Sequence, residues 1–278
     1  MAIEENQHAG PAEPAVLVTF AGPAEDSRRI MIATINRPAA MNTSNGEVAN
    51  GIGAALEAAE ADDRVRAVIV TGAGDRAFCA GVDVKAALRG DQLYAPGRAE
   101  WGFAGFTRHL ITKPTIAAVN GVALGGGAEI VLAADLAVAA ESASIGLPEV
   151  TLGLFAAAGG AVRLPCQIPP KIAMEMLLTG EPITAARAYQ LGLVNQLAPD
   201  GQALQVACAL AERICASAPL AVRASKVVAR RLVDGQIAEE QAAWAHSARE
   251  HALVRASLDA QEGMRAFAEK RTPAWQMR

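Results

Sequence analysis

The 278-residue sequence predicts an α/β fold with a helical C-terminal part, and three observations support this prediction. Apolar residues make up 52% of the chain and the mean hydropathy is +0.21, so a large buried core is expected. Short runs rich in Val and Ile alternate with Ala-rich helical patterns up to about residue 200. Beyond Gly201 the strand patterns stop and helical patterns follow.

Between residues 15 and 200 each element follows from its local composition. Runs of Val, Ile and Thr predict strands, whereas the Ala-rich stretches have the period of a helix. Pro114 precedes one strand and Gly126 begins one helix. In chain order we expect strands Ala15–Phe20 and Ile30–Ile35, helix Asn45–Asp62, strand Val65–Val70, a short helix within Ala80–Gly90, an irregular segment Leu93–Gly105, strand Thr115–Val119, helix Gly126–Asp135 and strand Leu136–Ala139.

The C-terminal part has the pattern of helices joined by short turns. Cys208 and Cys215 lie seven residues apart, so in a helix they share one face and are expected in the core. The expected helices are Ala203–Ser217, Leu220–Asp234, Ile237–Asp259 and Gln261–Glu269. We therefore divide the chain into a flexible N-terminal arm at 1–14, an α/β core at 15–200 and a helical region at 201–278.

Charge and motif content oppose several classes of function. The formal charge of -4 and the pI near 5.7 oppose non-specific nucleic-acid binding, which needs a basic surface. The four cysteines form no CxxC pair and the four histidines form no HExxH motif, so no metal site is expected. The acidic N-terminus lacks the apolar segment of a signal peptide, and no apolar run reaches membrane-spanning length. We therefore expect a cytoplasmic protein without a membrane partner.

Gly125, Gly126 and Gly127 form a cluster directly before an apolar helix. Unpaired N–H groups at a helix start favour a developing negative charge, so the backbone alone can form an oxyanion hole there. Glu129 follows within the first turn, and Glu149 lies in the apolar segment SIGLPEVTLG. Burial of a lone carboxylate is costly, so both glutamates are candidates for acid and base roles around a bound water. The alternatives are that Glu129 complements the helix start and that Glu149 caps a helix or forms an ion pair.

A second glycine cluster, in VIVTGAGDRA, resembles the short form of a dinucleotide-binding fingerprint. That fingerprint requires a long helix next and an acidic residue about twenty positions further on, at the end of a strand. Here a second glycine turn and a short helix follow, and no apolar strand lies near Asp91. The sequence therefore opposes a dinucleotide site. It also contains neither a GxSxG nor a GxxxxGK[ST] motif.

Five segments resemble, in the expected order, motifs of the enoyl-CoA hydratase (crotonase) family. The segments are RPAAMN, DRAFCAGVDVK, AAVNGVALGGGAEI, GLPEVTLGL and MRAFAEKRTPAW. One such match is weak, but five in order over most of the chain are specific. The resemblance implies a crotonase-type spiral of ββα units with a helical C-terminal trimerisation region, assembled as a homotrimer or as a hexamer of two trimers.

The resemblance also implies a role for individual residues. Glu129 and Glu149 occupy both glutamate positions of the hydratases, and the N–H groups of Val82 and Gly126 would hold the thioester oxygen. The CoA part of an acyl-CoA thioester substrate would contact Ala40, Ala80, Asp83, Val84, Lys85, Gly125, Phe267 and Lys270, the last two from the same or a neighbouring subunit. No metal or redox cofactor is implied, because CoA is part of the substrate.

The resemblance leaves the substrate open at two places. Ala156-Ala157 replaces the family's usual Pro-Gly or similar pair in a segment that lines the acyl region, and Leu88–Gly105 lies where the family forms a variable pocket wall. In addition, RLPCQIPPKIAMEMLLTG and AFAEKRTPAW resemble the carnitinyl-CoA dehydratase branch. The expected activity is hydration of a 2-enoyl-CoA to a 3-hydroxyacyl-CoA. The alternatives are a carnitinyl-CoA dehydratase-like reaction, double-bond isomerisation with one carboxylate, and CoA binding without turnover.

Overall fold

The computed structural model describes residues 13–22, 29–233 and 235–278. Most of the expected N-terminal arm, residues 1–12, therefore lies outside the described residues. The strands are β1 (Val16–Ala21), β2 (Ile30–Ile35), β3 (Ala67–Gly72), β4 (Ala77–Cys79), β5 (Thr115–Val119), β6 (Val122–Leu124), β7 (Leu136–Ala140), β8 (Ser144–Gly146), β9 (Ile183–Thr184), β10 (Gln196–Ala198), β11 (Leu232–Val233) and β12 (Gln236–Ile237). The helices are α1 (Gly46–Ala61), α2 (Val84–Arg89), α3 (Gly126–Ala133), α4 (Gly160–Gln167), α5 (Pro170–Thr179), α6 (Ala185–Gln190), α7 (Ala203–Cys215), α8 (Pro219–Ala229), α9 (Gln241–Arg255) and α10 (Leu258–Glu269).

The larger sheet has the strand order β1-β2-β3-β5-β7-β10 over the described residues. Strands β1 and β2 are antiparallel, and the remaining neighbours are parallel. All residues of β3 and β5 are buried, which explains why they form continuous apolar runs in the sequence. Helix α7 packs against β3, β5 and β7 through a stripe at four-residue spacing that consists of Ala203, Ala207, Ala211 and Cys215.

A smaller sheet with the order β4-β6-β8-β9 lies beside the first. The pairs β3/β4, β5/β6 and β7/β8 each contribute one strand to the large sheet and one to the small sheet. Helices α2 and α3 follow the first two pairs, and a 3₁₀ helix follows the third. This repeat is the ββα unit that the sequence resemblance implied. It brings the chain segments after β4, β6 and β8 to one end of the small sheet, where the candidate site lies.

The largest differences from the sequence-based expectation lie in the C-terminal half. The helix expected to continue to Asp234 ends at Ala229, because Arg231 and Gly235 have positive φ angles of 51° and 74° and the hairpin β11–β12 follows. Asp234 itself lies outside the described residues. The last helix begins at Leu258, where the hydroxyl of Ser257 accepts the N–H of Ala260. Between residues 160 and 190 the structure adds α4, α5 and α6, to which the sequence analysis assigned no element.

Helix α8 is fixed to the large sheet by an ion cluster. Lys226 Nζ lies 2.6 Å from Asp135 Oδ2, and Arg230 Nε lies 3.2 Å from Asp135 Oδ1. Among the described helices, none is by itself long and apolar enough to span a membrane. The pair α7 and α8 meets the length and composition together, but the two helices are bent by 106°.

Candidate active site

Glu129 lies on the buried helix α3, all of whose residues are buried, and its own exposure is 2%. Its Oε1 atom accepts the N–H of Gly160 at 2.9 Å. Gly160 is the first residue of α4, so the carboxylate lies at a helix N-terminus, where negative charge is favoured. The pKa of Glu129 is raised to about 8, mainly by burial and also by the charge of Glu149. The N–H groups of Gly160 and Ala158 and the charge of Arg163 act in the opposite direction and limit this rise.

Glu149 lies in the 3₁₀ helix Pro148–Leu152, which begins with a proline and ends at Gly153 in the left-handed conformation, with φ of 69°. Its Oε2 atom is buried and has no hydrogen-bond partner within the described part of the chain. Burial raises the pKa of Glu149 to about 7. A buried carboxylate oxygen without a protein donor is suited to a ligand that supplies its own hydrogen bond.

The turn at Gly125 brings the two carboxylates to one place. The carbonyl of Gly125 accepts the N–H of Glu129 at 3.0 Å, and a Cβ atom at Gly125 would lie 3.2 Å from Glu149 Oε1. Because burial and mutual repulsion disfavour two adjacent charges, the pair holds about one proton near neutral pH and titrates as a unit. Such a pair contains an acid and a base at the same time.

Two backbone N–H groups lie at the same turn. Ser44 donates its N–H to Gly81 and accepts the N–H of Asp83, at 2.8 and 2.9 Å, so the intervening Val82 N–H points to the opposite side. Gly126 is the first residue of α3, and its N–H has no acceptor within its own helix. A Cβ atom at Gly81 would lie 3.5 Å from Gly126 N, so the two backbone segments are in contact. This geometry fits the expected oxyanion hole.

The wall of the site contains the expected irregular segment Leu93–Gly105, in which the structure shows two 3₁₀ turns. A Cβ atom at Gly126 would lie 2.3 Å from Phe103 Cε1, so this ring covers the start of α3. Trp101 stacks on His109 with 4.5 Å between ring centroids, and His109 Nε2 lies 2.7 Å from a carboxylate oxygen of Glu57 on α1. The wall is therefore held against α1 by side-chain contacts.

The residues expected to contact CoA before α2 form a connected surface. Ala40 ends a 3₁₀ helix, and the N–H of Ala80 donates to the carbonyl of the adjacent Met41 at 3.1 Å. The carboxylate of Asp83 caps α2 and lies 2.8 Å from Arg37 Nη2. Burial raises the pKa of Asp83, but its hydrogen bonds and the charge of Arg37 outweigh this effect and lower it. The carboxylate is therefore committed to the fold.

Of the other expected CoA contacts, Gly125 lies at the turn before α3, and the remaining four lie on two helices that line one groove. Val84 and Lys85 begin α2, and the Lys85 side chain is exposed. Phe267 and Lys270 lie at the C-terminal end of α10, where the exposed fraction of Phe267 is 54%. Helices α2 and α10 line a groove of about 540 Å³ within one chain. The groove is lined by neighbouring residues of the two helices, among them Leu88 and Met264, and not by these four residues.

The sequence analysis missed a contact between α10 and the helix that carries Glu149. A Cβ atom at Gly263 would lie 2.2 Å from the carbonyl oxygen of Leu152, and one at Gly153 would lie 2.4 Å from the carbonyl oxygen of Asp259. Helix α10 therefore supports the candidate site of its own chain. Glycine inside an otherwise helical pattern, as at Gly263, is the signal for such a close approach.

Cys79, at the end of β4, does not supply a nucleophile. It is fully buried, and burial raises the pKa of its thiol to about 12, so the thiol is neutral at physiological pH. Over the residues that the structure describes, no group of three or more His, Cys, Asp or Glu side chains is placed to hold a metal ion.

Comparison with known proteins places the chain in a family. The model of the enoyl-CoA hydratase/isomerase family matches residues 25–278. The chain belongs to this family, also called the crotonase family. Among its curated relatives, the enoyl-CoA hydratase EchA19 of Mycobacterium tuberculosis is 42% identical over 255 residues, which cover 89% of this chain and 93% of the relative. A carnitinyl-CoA dehydratase of Salmonella arizonae is 41% identical over 251 residues, covering 88% and 94%.

Solved structures of the crotonase family match the fold. The carnitinyl-CoA hydratase from Mycobacterium avium is 52% identical with a TM-score of 0.92, and the match covers 95% of this chain and 99% of that chain. The enoyl-CoA hydratase from Mycobacterium tuberculosis H37Rv is 44% identical with a TM-score of 0.73, at the same coverage. The crotonase-type α/β fold and the family that the motifs indicated are thereby confirmed.

Proposed function

We propose that the protein is an enoyl-CoA hydratase, a hydro-lyase that adds water to the double bond of a 2-enoyl-CoA and forms a 3-hydroxyacyl-CoA. The observation that carries this proposal is the pair of buried carboxylates, Glu129 and Glu149, at one glycine turn beside two backbone donors. Isomerisation needs one carboxylate to move a proton, whereas addition of water needs a base and an acid. Relatives named as hydratases and dehydratases support the same chemistry.

The reaction follows from the geometry in three parts. The N–H groups of Val82 and Gly126 hold the thioester oxygen and polarise the conjugated double bond. The ionised carboxylate of the pair accepts a proton from water as the water oxygen forms a bond to C3. The protonated carboxylate gives its proton to C2. The C=O double bond of the thioester then re-forms from the enolate, and its oxygen loses the negative charge. One water is consumed, and the pair ends with its proton on the other carboxylate.

The raised pKa values of both glutamates suit these roles. An unperturbed pair would be doubly ionised near neutral pH and would lack an acid. Burial and mutual repulsion keep one proton on the pair in that range. The proposed reaction needs acyl-CoA and water and no redox cofactor or metal.

The remaining proposals concern CoA, assembly and location. We assign Ala40, Ala80 and the Asp83–Lys85 segment to the CoA part of the substrate, together with Phe267 and Lys270 beside the groove between α2 and α10. A homotrimer, or a hexamer of two trimers, is supported by exposed apolar side chains on α8: 78% of Leu220 and 76% of Val228 are exposed. We propose a cytoplasmic location. The acidic composition described above supports the proposal that the protein has no nucleic-acid partner.

A carnitinyl-CoA type substrate is the second candidate, and a specific observation favours it. The carnitinyl-CoA hydratase from Mycobacterium avium has higher identity and a higher TM-score to this chain than the enoyl-CoA hydratase from Mycobacterium tuberculosis H37Rv. The Ala156-Ala157 pair also lies in the loop that precedes α4, beside the carboxylate pair. The chemistry is the same in both cases, and only the acyl group differs.

The first experiment follows the loss of the conjugated enoyl-thioester absorbance with crotonyl-CoA. We expect turnover by the wild type and a loss of about a thousandfold in kcat for Glu129→Gln and for Glu149→Gln, about 4 kcal/mol of transition-state stabilisation each. Glu141→Gln, at an exposed glutamate after β7, serves as the matched control and should retain activity. If wild type is inert with crotonyl-CoA and longer enoyl-CoAs but dehydrates carnitinyl-CoA, the second candidate replaces the first. If either variant keeps full activity, the two-carboxylate mechanism is wrong.

A further inference from the structure

Arg163 lies on α4, one turn after the residue whose N–H holds Glu129, and only 3% of it is exposed. Its guanidinium forms a two-point contact with Glu240, with Nε–Oε1 of 3.0 Å and Nη2–Oε2 of 2.9 Å. The remaining nitrogen, Nη1, donates to the carbonyl of Thr107 at 2.6 Å. All three nitrogens of this buried cation therefore donate a hydrogen bond, and the group is held in one orientation.

Glu240 precedes α9 and belongs to the same cluster. Its carboxylate also accepts the indole N–H of Trp244 at 3.0 Å, and the Trp244 ring lies 5.4 Å from the guanidinium carbon of Arg163. Burial raises the pKa of Glu240, but the hydrogen bond and charge of Arg163 outweigh burial and lower it. Arg163 and Glu240 are therefore an ionised pair behind the Glu129 carboxylate.

The contacts of this pair reach three elements around Glu129. On α4 itself, Gly160 donates to Glu129, so a shift of Arg163 along the helix moves that donor. Thr107 carries the hydroxyl that accepts the N–H of Phe103 at 3.0 Å, and Phe103 covers the start of α3. Trp244 on α9 packs against the loop before α4, since a Cβ atom at Gly159 would lie 3.4 Å from its ring.

We propose that Arg163 is a positioning residue that fixes the Gly160 donor and places one positive charge near the carboxylate pair, and that Glu240 on the C-terminal region sets how much of that charge Glu129 experiences. The proposal rests on the hydratase function for its consequence in catalysis. Its physical content, the electrostatic coupling of Glu240 to Glu129 through Arg163, is independent of the substrate.

Among the described residues, the charged groups that act on Glu129 are Glu149 from the 3₁₀ helix and Arg163 from α4. Glu240 lies on the other side of Arg163, as its ion-pair partner. Loss of the positive charge at Arg163 disfavours the ionised form of Glu129 and raises its pKa. Loss of the negative charge at Glu240 leaves Arg163 less neutralised and lowers the pKa of Glu129. A merely structural role gives no reason for two opposite shifts.

The test is an infrared titration of the substrate-free protein, which follows the carbonyl stretch of protonated carboxyl groups and uses Glu129→Gln to identify the band. We expect the midpoint of that band to rise by about 1 pH unit in Arg163→Gln and to fall by roughly half a unit in Glu240→Gln. Arg108→Gln is the matched control, because Arg108 also stacks on Trp244, at 4.9 Å, but is exposed and makes no hydrogen bond to Glu240 among the described residues. Its midpoint should not move.

The outcomes separate this inference from the proposed function. If neither midpoint moves, or if both move in the same direction, the inference is overturned even when hydratase activity is found. If the midpoints move oppositely but crotonyl-CoA and carnitinyl-CoA are not turned over, the coupling holds and the proposed function fails. Should Arg163→Gln not fold, Glu240→Gln decides alone: a fall supports the coupling, and an unchanged midpoint removes it. With activity present, the optimum of kcat/KM against pH should shift in the same directions.

Discussion

Glu129 and Glu149 reach the same turn from two different kinds of structure. Helix α3, which carries Glu129, is buried throughout, whereas the 3₁₀ helix Pro148–Leu152 has no fully buried residue and lies against α10. The Glu129 carboxylate is held by the N–H of Gly160, while Glu149 Oε2 has no donor within the described residues. One carboxylate is therefore fixed by the core of the fold and the other by a peripheral helix, so mutations should separate stability from catalysis.

The largest expected effect on stability comes from a substitution that disrupts the packing of α3, which carries Glu129, against β4. A Cβ atom at Gly127 on α3 would lie 1.9 Å from the carbonyl oxygen of Cys79, and both atoms belong to buried backbone that cannot move aside. We expect Gly127→Ala to lower the free energy of unfolding by more than about 4 kcal/mol or to prevent folding. Urea unfolding followed by circular dichroism measures this loss.

A second glycine provides the control for that substitution. Gly90 has a φ of 75° and has no atom within 4 Å of a Cβ position, so Gly90→Ala adds only backbone strain. Its expected cost is about 1 kcal/mol. Equal losses in Gly90→Ala and Gly127→Ala would contradict the view that α3 is clamped by β4.

The pH dependence of stability gives the next largest effect. Folding raises the pKa of Glu129 from 4.5 to about 8, so its protonated form is favoured in the folded state. Stability from this group is fully present below pH 4.5 and is lost as pH rises through 8. The stability of Glu129→Gln relative to wild type should therefore be greater at pH 9 than at pH 5, by about 4 kcal/mol. Urea unfolding of both proteins at both pH values measures this difference in the free energy of unfolding. A difference of the opposite sign would mean that Glu129 is ionised in the folded state.

A substitution in α10, where it contacts the 3₁₀ helix that carries Glu149, should have the smallest effect on stability and a selective effect on activity. Gly263→Ala forces α10 away from Leu152, because the new Cβ would lie 2.2 Å from the Leu152 carbonyl oxygen. We expect kcat/KM to fall by about tenfold to a hundredfold as Glu149 is displaced, with a cooperative unfolding transition retained. The infrared midpoint of Glu129 should fall as Glu149 moves away, because the charge of Glu149 contributes to the raised pKa of Glu129. Loss of folding in place of loss of activity would show that α10 belongs to the core.

Much of this site could be predicted from the sequence, because its features are local. The glycine cluster before α3 and the two glutamates in apolar segments are visible within a few residues of chain. The ββα repeat came from the resemblance alone, since the local composition predicted β3, β5 and β7 but not the short strands β4, β6 and β8. The roles of Val82 and Gly126 came from the resemblance alone, and the backbone geometry around Ser44 fits them.

The supports behind the site could not be predicted, because they join distant parts of the chain. Arg163 and Glu240 are 77 residues apart, and neither residue type in a helix distinguishes a buried ion pair from a solvated surface. Gly263 inside a helical pattern indicates that some backbone approaches closely, but it does not identify Leu152 as the partner. The early end of α8 depends on positive φ at Arg231, a residue that gives no turn signal.

Helices α9 and α10 lie beside the candidate site of the same chain, and this has a consequence for protein synthesis. Residues near the C-terminus, at Glu240 and Gly263, complete the surroundings of carboxylates that emerge from the ribosome long before them. The large sheet and α3 can form during translation, but the carboxylate pair gains its final geometry only after the last helices have been released. A nascent or prematurely terminated chain would thus carry both glutamates and remain catalytically silent.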